Sequence, residues 1–171
     1  MITPVNRKNT QSVSRPNPNI AEDLAIVDDA INGTNFLGMF AISNGRSIVI
    51  DAQSSDGELT LRKSLVNVIK GFQDKIQILS KNLPNEGVRV GANVISYNKI
   101  LSSLGGSIDQ RKGINQSSQL ADWVWKFQDL FNIEKGTIDQ NGTKADRQSH
   151  FAVVGPKTLD QLKAVLNKPI N

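Results

Sequence analysis

The sequence predicts a mainly helical protein with one inserted β-hairpin. Apolar residues recur at a helical spacing in five segments, whereas a strand-like, period-two pattern surrounds one strong hairpin signal, Asn44-Gly45. In addition, a β-branched run followed by a glycine occurs twice, at residues 88–95 and 152–159. A motif repeated in this way suggests one small supersecondary unit that is used twice.

The first half of the chain is expected to begin with a disordered arm, residues 1–18, which is polar and carries three prolines. Asn19 is a suitable N-cap for a first helix, and Gly33 is a suitable end for it. The hairpin follows at residues 36–51. The apolar stripe of the first helix contains Ile20, Leu24, Val27, Ala30 and Ile31.

A second helix is predicted after the turn at Asp56-Gly57, and a third helix is predicted after the glycine of the first copy of the repeated motif. Gly105-Gly106 is expected to end the third helix. The second helix has the apolar stripe Leu61, Leu65, Val68, Ile69, Phe72 and Ile76. The expected core positions of the third are Val94, Ile95, Leu101 and Leu104.

The second half contains a polar linker at residues 107–118, a fourth helix at 119–131 and a long polar loop up to residue 151. A last helix is expected to begin near Pro156, where Thr158 and Gln161 have the spacing of a capping box. The fourth helix buries the stripe Leu120, Trp123, Val124, Phe127, Leu130 and Phe131, and the last buries Leu159, Leu162, Val165 and Leu166.

Composition excludes several classes of function. The chain of 171 residues has no cysteine, which excludes disulfides, thiolate metal sites and a cysteine nucleophile. The net charge of +4 arises mainly from Arg7, Lys8 and Arg15, because the rest of the chain holds 17 basic and 16 acidic residues. A nucleic-acid-binding face is therefore not expected. No run of about 18 apolar residues occurs, so no membrane span is expected either.

The start of the chain lacks the apolar centre of a secretory signal. We therefore expect synthesis in the cytoplasm without a visible signal peptide. Action in the periplasm or on a target cell wall would then require export by another route, or a signal that has been removed.

Several short motifs, in their order along the chain, resemble those of the peptidoglycan-binding domain, a three-helix module of bacterial and phage cell-wall hydrolases. In the first half they are a helix at 21–27, Asp56-Gly57, a helix end Ile-Lys-Gly-Phe-Gln at 69–73, and Val-Arg-Val-Gly at 88–91. In the second half, residues 126–128, 136–139 and 154–159 repeat parts of the pattern. The sequence departs from it at Leu59, where the family has a glycine, in the inserted hairpin, and in the second half, which lacks one helix.

The resemblance implies two small peptidoglycan-binding-like units, residues 19–106 and 119–171. It also implies non-catalytic binding of a cell-wall glycan or stem peptide, in order to target a hydrolase or a secreted effector. Such modules without a signal peptide occur in phage lysis proteins and in cargo of type VI secretion systems.

Five residues are candidates for ligand binding. Trp125 is predicted on the solvent-exposed face of the fourth helix, beside Gln128 and Asp129, where it could stack on a sugar ring. The alternative is that the linker or the other half of the chain covers Trp125. Tyr97 on the third helix is a similar aromatic candidate, with a core position as the alternative. Arg89, beside the glycine turn, could pair with a stem-peptide carboxylate or be an ordinary surface arginine.

Two other functions stay open. A protein-interaction adaptor or immunity component would use the 36–51 hairpin, if Phe36, Met39 and Phe40 face outward. A small muramidase would use two carboxylates. The acids available for that role are Glu22, Asp56, Glu58, Glu86 and Asp139.

Neither a cofactor nor a metal site is predicted. The single histidine, His150, follows Asp146 by four residues, and two ligands do not make a zinc site. No Gly-x-Ser-x-Gly elbow accompanies it for a catalytic triad, and no nucleotide-binding or calcium-binding motif is present.

Overall fold

The computed structural model describes residues 20–32, 47–51, 59–104, 117–135 and 151–170. Helices hold 68% of them, which confirms the mainly helical fold. The helices are α1 (Ile20–Asn32), α2 (Leu59–Asn82), α3 (Tyr97–Leu104), α4 (Ser117–Leu130) and α5 (Pro156–Leu166), and the strands are β1 (Ile48–Asp51), β2 (Gly87–Val90), β3 (Asn93–Ser96) and β4 (Phe151–Val154).

The long helix α2 lies at the centre of the packing and contacts α1, α3 and α5. Its predicted stripe is confirmed, because every member from Leu61 to Ile76 is buried. Gly71 lets α1 approach closely, since a Cβ at this position would overlap Ile20 of α1. Burial of these stripes is the main source of stability in a fold of this kind.

The strand predicted at the end of the hairpin is confirmed as β1, but its described partner is distant in sequence. β1 pairs antiparallel with β4, from Ile48 opposite Val154 to Asp51 opposite Phe151. Ile48 and Ile50 are fully buried, so this short sheet faces the core rather than solvent. The remainder of the predicted hairpin, including Phe36, Met39 and Phe40, lies outside the described residues.

The predicted start of the third helix is wrong. Residues 87–96 form a β-hairpin in which Val90 pairs with Asn93, and α3 begins only at Tyr97. Gly91, at the first position of the two-residue loop, has a φ of +61°. A positive φ at this position alone is typical of a type II′ turn, which suits the twist of paired strands. Val94 is therefore 56% exposed on β3 instead of lying in a helix core.

The two copies of the repeated motif therefore form different structures. After Gly91 the chain turns back as a strand, whereas Gly155 is extended, with a φ of −108°, and leads into α5. Pro156 accounts for the difference, because its fixed φ suits the first position of a helix and its missing N–H is not needed there. The repeat does not represent one supersecondary unit used twice.

Elements from both predicted units pack around one hydrophobic cluster. The ring of Phe72 in α2 lies edge-on to Trp123 and Phe127 in α4, at centroid distances of 5.7 and 5.4 Å. The Lys75 ammonium in α2 donates a hydrogen bond to the Leu166 carbonyl at the end of α5, at 2.8 Å. Burial lowers the pKa of Lys75, while the negative end of α5 gives its charge a favourable partner.

A surface ion pair adds a third link between the halves. Lys163 of α5 donates to the Asp28 carboxylate of α1 at 2.9 Å, and Asn32 donates to the other oxygen of Asp28 at 2.7 Å. The hydrogen bond from Lys163, followed by that from Asn32, lowers the pKa of Asp28.

Several predictions fall outside the described residues. These are the arm 1–18, the end of the first helix at Gly33, the turn at Asp56-Gly57, residues 105–116 at the predicted unit boundary, and the loop from residue 136 to His150. Among the helices that the structure does describe, none is long and apolar enough to cross a membrane.

Candidate functional site

Helix α4 carries most of the predicted binding residues, and one of its faces forms the aromatic centre of the core. Trp123 stacks on Phe127 at a centroid distance of 5.2 Å and an interplanar angle of 25°. Phe127 in turn lies 4.7 Å from Phe131. This face is the predicted stripe, and apart from the half-buried Leu130 its side chains are buried as expected.

Gln128 does not lie on the solvent-exposed face of α4, contrary to the prediction from the sequence. Its side chain is fully buried, and its Nε2 donates to the Val153 carbonyl at 2.8 Å and to the Thr158 hydroxyl at 3.1 Å. The reason is that β4 packs along this flank of α4. Gln128 therefore ties α4 to β4 and α5 and is not available to a ligand at the surface.

The same contact corrects the predicted capping box. Thr158 is buried within α5 and accepts the hydrogen bond from Gln128, whereas the N-cap residue is Gly155, which has no side chain to cap the helix. Pro156 removes one of the unpaired N–H groups that a capping side chain would otherwise satisfy.

Trp125 is half-buried and lies one turn before Gln128 on α4, where three side chains form a small surface cluster. Asp129 lies one turn after Trp125 on the same face, and its carboxylate forms an ion pair with Lys135. The Lys135 ammonium also lies over the Trp125 ring, 5.0 Å from its centroid, which is a favourable cation–π distance. We call Trp125, Asp129 and Lys135 the Trp125 surface.

The turn after α4 brings Lys135 back over the helix. Asn132 has a φ of +58°, Asn132 N–H donates to the Asp129 carbonyl at 3.3 Å, and Ile133 N–H donates to the Gln128 carbonyl at 2.8 Å. These two hydrogen bonds define a Schellman motif, in which a left-handed residue reverses the chain at the end of a helix. Ile133 then packs against the core and holds the turn in place.

Sequence reasoning did not identify Lys135. The available signal was Asn132 directly after the last apolar residue of the helical stripe, because asparagine tolerates the left-handed conformation of such a cap. A helix that ends in this way directs the next residues back along its own surface.

The other two predicted residues lie elsewhere. Tyr97 begins α3 and is 2% exposed, so it fills the core position that was its alternative. Burial, and secondarily the charge of Glu86, raises the pKa of Tyr97. Arg89 is exposed on β2, opposite Val94, and is thus available to a partner but belongs to the β2–β3 hairpin rather than to the Trp125 surface.

Two of the five acids suggested for a muramidase lie within the described residues. Glu22 and Glu86 are exposed, whereas a glycosidase acid needs a shielded environment that keeps it protonated. Asp56, Glu58 and Asp139 lie outside the described residues. Within the described part of the chain, no group of three or more His, Cys, Asp or Glu side chains is arranged to hold a metal ion.

Comparison of the chain with protein-family models, with curated proteins and with solved structures finds no match.

Proposed function

We propose that this chain binds bacterial peptidoglycan without cleaving it, through the Trp125 surface. The observation that carries the proposal is a half-buried tryptophan on α4, bordered by a carboxylate and an ammonium group. An aromatic face with a few fixed polar groups beside it is typical of sites for sugars and short peptides.

The chemistry of the cell wall matches these groups. The apolar faces of its sugar rings can pack on an indole, and its stem peptides carry carboxylates and amines that can pair with Lys135 and Asp129. Arg89 is a second candidate contact for a stem-peptide carboxylate, on a separate element. Tyr97 and Gln128 are both buried and are not part of the proposed binding surface.

The order of short motifs that resembles the peptidoglycan-binding domain supports the same proposal. In that context the chain targets a hydrolase or a secreted effector to the wall. Its site of action is then the periplasm or the wall of a target cell, which it reaches by export through a phage lysis or type VI secretion route.

The experiment is co-sedimentation of the purified protein with insoluble peptidoglycan sacculi, while the turbidity of the suspension is followed. We expect the wild type to sediment without clearing the suspension, and Trp125→Ala to weaken binding about tenfold, as for loss of a well-packed aromatic contact. Lys126→Ala is the matched control, because Lys126 is the adjacent exposed residue of α4.

The proposal is overturned if the wild type stays in the supernatant, or if Trp125→Ala binds as well as Lys126→Ala does. Clearing of the suspension would instead favour the small carboxylate muramidase. Thermal unfolding of each variant must be measured in parallel, so that loss of binding is not confused with loss of the fold.

A protein-interaction role is the second candidate, and the β2–β3 hairpin favours it. Val94 is the exposed large hydrophobic residue of the described chain, and it lies beside the exposed Arg89. Within the described residues this sheet has two strands, and an exposed apolar side chain on such a sheet is suited to contact another protein. A photo-crosslinking residue at position 94 should then capture a protein partner from the producing cell, whereas one at position 126 should not.

A further inference from the structure

We infer that the Trp125 ring and the Asp129 carboxylate form a binding site for a primary ammonium group, which Lys135 fills in the free protein. This inference extends the proposed function, because it names the chemical class of the ligand and the group that occupies its place. Only the identification of the ligand with an amine of the cell wall rests on the proposed function.

The geometry around Lys135 is that of an occupied ammonium site. Its Nζ lies 5.0 Å from the centroid of the Trp125 ring and forms an ion pair with Asp129. The electron-rich face of an indole attracts a cation, and a carboxylate beside it adds charge and hydrogen bonding. Because Trp125 and Asp129 are four residues apart on one helix, α4 holds them together whether or not Lys135 is present.

Lys135 can leave this site without disturbing α4, the helix that carries Trp125 and Asp129. The turn after α4 is held by the hydrogen bonds of Asn132 and Ile133, and neither bond involves the Lys135 side chain. The Asp129 side chain is 59% exposed, so an incoming group can reach the carboxylate from solvent. The Lys135 side chain itself is 23% exposed, but it is long and flexible, and an ion pair whose carboxylate is open to solvent holds it only weakly.

A tethered amine is a strong competitor for a small free one. A group attached by a short segment acts at an effective concentration on the order of millimolar. A single small amine therefore replaces Lys135 only at high concentration, whereas a polymer with many amines can do so at a low one. Peptidoglycan stem peptides carry amines in such a repeated array, which is where the inference meets the proposed function.

The test uses the indole N–H signals of Trp125 and Trp123 in ¹H–¹⁵N spectra of the whole chain, assigned with Trp125→Phe. The probe is n-butylammonium chloride, and sodium chloride at equal ionic strength is the control. We expect Lys135→Ala to show a saturable shift of the Trp125 signal, with a half-saturation at least about fivefold lower than in the wild type. The signal of the buried Trp123 should not move.

The double variant Asp129→Asn with Lys135→Ala should lose the response, because its site retains the ring but not the carboxylate. Lys126→Ala should behave as the wild type. If Lys135→Ala fails to fold, Lys135→Gln replaces it, since glutamine keeps a polar side chain of similar reach without the charge.

Three results would each overturn the inference: a Trp125 shift in Lys135→Ala no larger than that from sodium chloride, an equal response in the wild type, or an undiminished response in the double variant. Because no peptidoglycan is present in this titration, its failure is distinguishable from failure of the sacculus experiment.

Discussion

Replacing Gln128 by alanine should destabilise the protein by about 3 kcal/mol. The side chain is fully buried and donates to the Val153 carbonyl and to the Thr158 hydroxyl. Each hydrogen bond is worth about 1 kcal/mol, and loss of the buried methylene adds about 0.8 kcal/mol. The Val153 and Thr158 acceptors are left without this donor, and the neighbouring side chains can only partly close the gap.

The assay is urea unfolding followed by circular dichroism, with Lys126→Ala as the control on the exposed side of the same helix. The control should change the free energy of unfolding by less than about 0.5 kcal/mol. If Gln128→Ala were as stable as Lys126→Ala but lost its affinity for sacculi, the core role of Gln128 would be refuted and the surface role predicted from the sequence restored.

Three further predictions concern turns and the link between the halves. Gly87→Ala should lower the free energy of unfolding by about 3 kcal/mol, because the added Cβ would overlap a carbonyl of the opposing strand. Gly91→Ala should lower it by only about 1 kcal/mol, through backbone strain at a positive φ. Urea unfolding measures both. Asn132→Gly should raise the melting temperature slightly and Asn132→Val should lower it by several degrees, because only the first relieves the left-handed conformation. Because the pKa of Asp28 is lowered, its ion pair with Lys163 stabilises the fold fully above about pH 4 and less as pH falls through the lowered value. Lys163→Met should therefore flatten the acid dependence of stability, by less than about 1 kcal/mol since both side chains are partly exposed.

The helices were predictable from the sequence because a 3.6-residue apolar period reports burial directly. The stripe of α2, most of that of α4, Val27 and Ile31 of the α1 stripe, and the start of α5 at Pro156 all agree with the structure. The β2–β3 hairpin was missed because its glycine resembles a helix lead-in. Residues 94–96 alone do not distinguish the start of an amphipathic helix from a strand.

Gln128 shows what periodicity cannot report. A helical stripe identifies one buried face, but α4 is also covered by β4 at Gln128, and β4 pairs with a strand from the first half of the chain. That pairing depends on long-range contacts, so no local pattern around residue 128 indicates it. Trp125, one turn before Gln128, is half-buried, which is intermediate between the exposed position and the covered position that the sequence left open.

The core positions of α4 and the charged groups beside Trp125 should respond differently to substitution. Trp123, Phe127 and Gln128 contact the core, whereas Asp129 and Lys135 meet Trp125 at the surface through contacts worth about 1 kcal/mol or less. Substitutions of Asp129 or Lys135 should therefore change ligand binding while the free energy of unfolding stays nearly constant, whereas Trp125 also packs against the core. A variant of Asp129 or Lys135 that lost binding together with several kcal/mol of stability would show that this ion pair also supports the core packing of α4.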